Sequence, residues 1–112
     1  MKVAIPMHDG LLTMHFGHCA EFAIMDATPE TGEITHKEMI AAPPHEPGLL
    51  PRWLAEKGVK LVIAGGMGGR ARDLFAEQQI TVVTGAPAAA PEVLVRDYFT
   101  GKLQTGENAC DH

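Results

Sequence analysis

The chain has 112 residues, 46% apolar and 21% charged, which suits one globular domain with an ordinary hydrophobic core. Its formal charge is −5, and no basic cluster offers the phosphate neutralisation on which nucleic-acid binding depends. No apolar run approaches the roughly 20 residues that cross a bilayer, and the stretch after Met1-Lys2 is too short for a signal-peptide core. The expectation is a cytoplasmic protein that engages neither nucleic acid nor membrane, its cysteines kept as thiols by a reducing compartment.

In chain order, "KVAIPM" (2–7) is an apolar run closed by the turn residues "HDG", and reads as a strand followed by a loop. "EFAIMDA" (21–27) and "ITHKEMIAA" (34–42) flank "TPETGE", whose Pro29 and Gly32 favour a turn, and together they read as an antiparallel hairpin. On its second strand Ile34, His36, Glu38 and Ile40 should share one face, with Thr35, Lys37, Met39 and Ala41 on the other. "APPHEPG" (42–48) has too much proline for regular structure. "LLPRWLAEKG" (49–58) sets Leu50, Trp53, Leu54 and Lys57 at helical spacing, with Pro51 tolerated in the first turn and Gly58 as a stop.

"VKLVIAG" (59–65) is almost unbroken aliphatic, as in a strand covered on both faces. The glycine loop that follows leads into a helix, "RARDLFAEQQ" (70–79), and "ITVVTG" (80–85) is a further buried strand. "AAAPEVLVRDYFTGKL" (88–103) contains a third helix, from near Pro91 to near Gly101. The last two strands close βαβ units and must pair in parallel with right-handed crossovers. Residues 1–103 should therefore form a single α/β domain: a mixed five-stranded sheet with one antiparallel hairpin, flanked by about three helices. Residues 104–112 should be a flexible tail.

Two groups of residues carry chemistry. "MHFGHCAEF" (14–22) holds His15, His18 and Cys19, and the tail "ENACDH" holds Cys110 and His112. Imidazole and thiolate are ligands of zinc, copper and iron–sulfur species. Neither half completes a four-ligand pattern, so an open or exchangeable site is favoured over a structural zinc. The competing reading is a cysteine packed as a small hydrophobe, with histidines bonded to loop backbone.

The second group is "GGMGGRA" (65–71), between a strand and a helix. Gly66-x-Gly68-x-x-Ala71 matches the dinucleotide fingerprint, but the next strand ends in "VVTG" without the acidic residue that would hold a ribose. Two roles stay open for the loop: backbone amides turned toward an anion beside Arg70, or close packing of strand on helix. No Cys-x5-Arg loop and no serine elbow is present, and Asp9, Glu21, Asp26 and Asp73 are too scattered for acid–base or two-metal chemistry.

"MKVAIPMHDG", "HFGHCAEFAIMD", "PGLLPRWLAEKGVKLVIAGGMGGRARDLF" and "ITVVTGA" together resemble the dinitrogenase iron–molybdenum cofactor biosynthesis family, small domains that bind and carry metal–sulfur clusters. The resemblance implies a ribonuclease-H-like fold, without nuclease activity. It also implies iron–molybdenum cofactor, a precursor, or another cluster such as molybdenum–copper or iron–sulfur as ligand. The family's His-Phe-Gly histidine falls on His15, its loop glycines on Gly65, Gly66 and Gly68, its arginine on Arg70, and a histidine of some members on His45. His18, Cys19, Cys110 and His112 go beyond that pattern.

The expected function is a non-enzymatic carrier or sensor of such a cluster. His15, His18, Cys19, Cys110 and His112 would bind metal, while Gly65, Gly66, Gly68 and Arg70 would hold the anionic face. The alternatives are an anion- or nucleotide-binding regulatory module built on the glycine loop, or a partner domain of a P-loop ATPase of the iron–sulfur carrier type.

Overall fold

The computed structural model describes residues 1–14, 16, 19–43 and 48–106. The elements are β1 (Lys2–His8), β2 (Leu11–Leu12), β3 (Glu21–Ala27), β4 (Ile34–Ala41), α1 (Leu49–Glu56), β5 (Val59–Ile63), α2 (Gly69–Glu77), β6 (Thr81–Val83) and α3 (Pro91–Phe99). The sheet runs β4-β3-β1-β5-β6. β1 pairs antiparallel with β3, β3 antiparallel with β4, and β1, β5 and β6 are parallel. The expected mixed sheet and three helices are all present.

β2 is an addition to that plan. It pairs His8 with Leu11 and Met7 with Leu12 across a two-residue turn. Asp9 and Gly10 occupy that turn with φ of 53° and 83°, the left-handed pair that lets a tight hairpin follow the twist of its strands. The Asp-Gly signal is in the sequence, but two paired residues carry no periodicity by which to extend it into a strand.

Alternation along β1 and β3 sends side chains to two cores. Ala4, Phe22, Ile24 and Val62 meet Leu50 and Leu54 of α1 and Phe75 of α2 on one face. Val3, Ile5, Ala23, Met25, Leu61 and Ile63 meet Leu94 and Val95 of α3 on the other. Burial of both faces is why β5 reads as continuous aliphatic sequence.

β4 departs from the expected alternation. Asp26 pairs with His36 but Ala27 pairs with Ile34, a register shift that leaves Thr35 as an extra residue. Such a bulge reverses facing beyond it. Ile34 consequently joins the α3-side core while Ile40 packs against the opposite one, so the two isoleucines do not share a face. Lys37, on the α3 side, reaches across to form an ion pair with Glu92 of that helix. This hydrogen bond holds the Glu92 carboxyl below its usual range, and as an exposed pair it adds little stability.

The β3–β4 turn is pressed onto α3 at Gly32, where a Cβ would lie 3.2 Å from the Arg96 carbonyl oxygen. After α3 the chain reverses at Gly101 (φ 75°), the usual left-handed stop of a helix. It returns with Leu103 packed against the α3-side core. Gly106, within the segment expected to be a flexible tail, donates its N–H to the Gly85 carbonyl at 2.7 Å; residues 107–112 lie outside the described residues. No helix among the described residues is long and apolar enough to cross a membrane.

Candidate functional site

The carboxyl ends of β1, β5 and β6 share one edge of the sheet, and α2 and α3 begin there. From β1 the chain goes to the β3 side, and from β5 it goes to the β6 side. Connections that part in this way mark the switch point at which open α/β sheets bind ligands. The glycine loop after β5 lies here, and Phe16, after β2, touches it.

The Phe16 ring packs edge-on to Phe75 at 5.5 Å and against Phe22 at 6.0 Å between centroids. Its N–H donates to the Gly66 carbonyl at 2.9 Å. An aromatic anchor on the α1/α2 core thus fixes Phe16 onto the glycine loop.

The glycines of that loop divide into two kinds. At Gly65 an added Cβ would meet Met14 Cα at 3.0 Å and the Thr13 carbonyl at 3.1 Å, so this glycine serves close packing of the chain on itself. Gly66 and Met67 are buried with it. At Gly68 and Gly69 a Cβ would meet nothing within 4 Å. Gly68 is the N-cap of α2, has an ordinary φ of −66°, and supplies no side-chain cap. The first-turn amides of a helix lack intrahelical acceptors, and the positive end of the helix dipole adds to them.

Arg70 and Arg72 are exposed on this turn, no acidic residue occupies it, and neither arginine is ion-paired among the described residues. Gly69 and Arg72 were not singled out by motif reading. Their signal was the run "GGRAR" itself, in which the helix starts one residue earlier than its apolar spacing shows. A groove along the outer flank of α2 begins at Gly69 and continues past Arg72 and Asp73 to Thr81 and Val82 of β6.

Cys19 is a free thiol, 6% exposed, within the core cluster of Phe16, Phe22 and Phe75. Burial pushes its pKa up to about 11, outweighing a backbone hydrogen bond that favours the thiolate. Against the value of 9.0 for an open thiol, two pKa units reduce the thiolate about a hundredfold. Iodoacetamide should therefore modify Cys19 at pH 8 about a hundredfold more slowly in the native chain than in the denatured one. Equal rates, followed by mass spectrometry, would mean that the thiol is open to solvent. As a metal ligand Cys19 would have to surrender its proton, which a bound cation drives, so loading through it should rise with pH.

Among the described residues no three His, Cys, Asp or Glu side chains converge on a point a metal could occupy. Of the residues expected to bind metal, only Cys19 is described. His15, His18, Cys110 and His112 lie outside the described residues, as does His45. His8 and Asp9 pair with each other at 3.4 Å on the exposed β1–β2 turn, and His36 stands exposed on β4.

Residues 1–101 match the family described as dinitrogenase iron-molybdenum cofactor. The protein MJ0580 of Methanocaldococcus jannaschii is 31% identical, over 96% of this chain and 92% of its own. The crystal structure of PH0822 superposes with a TM-score of 0.84 at 30% identity, covering 94% of each chain. The apo form of the orange protein from Desulfovibrio gigas shares the fold, with a TM-score of 0.73 at 20% identity over 96% of this chain and 93% of that one. The shared fold, the extent of the match and the paired His-Phe-Gly and glycine-loop motifs agree: this chain belongs to the dinitrogenase iron–molybdenum cofactor family.

Proposed function

We propose that this protein is a non-enzymatic carrier or sensor of a metal–sulfur cluster, held at the carboxyl edge of the sheet. The observation that supports this reading is the Phe16-to-Gly66 hydrogen bond of 2.9 Å, which seats Phe16, a neighbour in sequence of His15, on the loop that leads into the uncapped α2. His15, His18 and Cys19 supply imidazole and thiolate to metal. Gly68, Gly69 and Arg70 face the sulfide or oxo-anion side of the cargo with amides and positive charge.

The open Cβ positions of Gly68 and Gly69 fit a bulky inorganic anion approaching the backbone. Gly65 and Gly66 act one step back, by seating the loop. The cargo class is iron–molybdenum cofactor or a precursor, with molybdenum–copper and iron–sulfur clusters as the neighbouring chemistries. A cytoplasmic setting, in which thiols stay reduced, suits such ligands. A P-loop ATPase of the iron–sulfur carrier type is the partner that the family resemblance brings with it.

The test is anaerobic reconstitution with iron, sulfide and molybdate, followed by desalting, visible spectroscopy and elemental analysis. A coloured protein holding metal is the expected result; a colourless, metal-free one would overturn the reading. Gly68→Val should abolish retention without lowering the thermal midpoint, since the added side chain meets no protein atom and φ is already ordinary for any residue. Normal loading by this variant would remove the loop from the site.

A second reading has an observation of its own. The Cys19 thiol is buried and held protonated, while the turn carrying Gly68, Gly69, Arg70 and Arg72 is open. An anion- or nucleotide-binding regulatory module would need only the latter. Saturable binding of phosphate or a nucleotide by metal-free protein, lost in Arg70→Ala, would favour it.

A further inference from the structure

β6 ends the sheet, and its outer side has no neighbouring strand among the described residues. It pairs in parallel with β5, Val82 level with Val62. In such a pair, alternate residues turn their N–H and C=O toward the neighbour. The Val83 carbonyl accepts from the Ala64 N–H at 2.8 Å. Val83 therefore serves β5, and Val82 presents its N–H and carbonyl to the open side.

The opposite edge of the sheet is guarded. β4 carries the bulge at Thr35 and the charged side chains of Lys37 and Glu38, devices that keep a strand from pairing with another molecule. "ITVVTG" (80–85) has no charge and no proline, and β6 follows β5 without a register shift. Three residues are too few to hold a partner by backbone alone, so a partner must also grip what lies beside them.

Beside them runs the groove along α2, which that helix lines with Gly69, Arg72, Asp73 and Ala76. Steps of three and four residues make one stripe of a helix. This stripe complements itself. Laid against an antiparallel copy, Arg72 faces Asp73 of the second copy, and Gly69 faces its Ala76. Both charged side chains are exposed, and neither has an ion-pair partner among the described residues. The two small residues allow the helices to come close.

The spacing agrees. α2 covers the β5–β6 pair, its Phe75 sharing a core cluster with Val62 and Val82. Continuing the sheet from β6 to a second β6 about a two-fold axis sets the two α2 helices two strand spacings apart, about 10 Å. Packed helices lie about 8–10 Å apart. Strand meets strand and helix meets helix in one arrangement.

We propose that this face binds a second copy of the chain. Val82 exchanges two backbone hydrogen bonds with its symmetry mate, and Arg72 and Asp73 form two reciprocal ion pairs. A two-fold interface requires one patch to complement itself, and this one does so in backbone, charge and size. Because the α2 helices run in opposite directions, the two glycine loops lie at opposite ends of the joined sheet. Pairing of this kind needs no metal and no cargo.

Light scattering of the metal-free chain on a sizing column gives mass against concentration. Mass should rise toward twice 12.0 kDa as concentration increases. Arg72→Asp and Asp73→Arg, each setting like charges face to face, should weaken association by about tenfold or more. The double exchange Arg72→Asp/Asp73→Arg should restore it, which a misfolded variant could not do. Amide exchange tests the strand without any variant: the Val82 N–H should exchange more slowly in concentrated wild-type protein than in dilute protein.

A chain that stays monomeric at millimolar concentration overturns the proposal. So does a dimer that survives both single reversals with the Val82 amide equally fast at both concentrations, because the copies then meet at another face. An extended peptide that fills the groove of a monomeric chain would make this edge a peptide site and equally sink self-association.

Discussion

Phe75→Ala should lower the unfolding free energy by about 3–5 kcal/mol, the range for losing a buried aromatic and leaving a cavity. Phe75 has no exposed surface, lies where α2 meets the sheet, and holds the edge of the Phe16 ring. Against a typical total of about 5–15 kcal/mol for a domain, that loss leaves the fold marginal. The effect should also travel. With Phe75 gone, the ring of Phe16 loses one of its two aromatic supports, and the segment hung from Gly66 loosens with it. Urea unfolding gives the stability loss, and amide exchange at Phe16 gives the loosening. A loss below about 1 kcal/mol, outside the range for emptying a core site, would mean that the α1/α2 core collapses around the vacancy and that Phe16 is held by other contacts.

Gly85→Val should have an effect of similar size for a different reason. A left-handed conformation costs a side-chain-bearing residue about 1–2 kcal/mol, and forcing extra methyl groups into a filled place costs about 1–3 kcal/mol more. The place is filled by backbone, because the Gly106 carbonyl oxygen stands 2.1 Å from the new Cβ. The variant should lose about 2–5 kcal/mol by those two effects together and release Gly106, seen as fast exchange of its amide. Gly101→Val isolates the conformational part, since Gly101 has φ of 75° but nothing within 4 Å of a Cβ. Equal losses at the two positions would show that the Gly106 contact contributes nothing.

The plan of the domain was legible because each long element carries its own signal. The apolar runs of β1 and β5, the helical spacing of Leu50, Trp53 and Leu54, and the punctuation by Pro91 and Gly101 are local facts about the chain. The facing of β4 was not legible. Ile34 and Ile40 are six apart, and simple alternation puts them together; Ile34 packs on the α3-side core and Ile40 on the opposite one, with a bulge between them. Nothing within "ITHKEMIAA" announces that demand.

The same division holds at the site. "HFGHC" and "GGMGGRA" are visible as motifs, and the fold brings Phe16 of the first against Gly66 of the second. Which glycines remain open depends on Met14 and Thr13, about fifty positions earlier in sequence, lying across Gly65. The two readings of Cys19 were open for a comparable reason, since its burial comes from Phe16 and Phe22 on one side and α2 on the other.

The strand order also sets a sequence in time. β1 is made first yet sits in the middle, where Lys2 pairs with Asp26 on one side and with Val59 on the other. During synthesis β1 can pair antiparallel with β2 and β3, and β3 with β4, while β5 is not yet available. The parallel pairing of β1 with β5 requires a long loop to close, the kind of event that slows folding. Until then, Val3 and Ile5 lack Leu61 and Ile63 beside them, and the growing chain shows an unpaired edge open to mispairing. The glycine loop follows β5 and Phe16 precedes it, so the two meet only when that slow pairing is complete. The contact between Phe16 and Gly66 is therefore a late event in folding, and a destabilised β1–β5 seam would delay it.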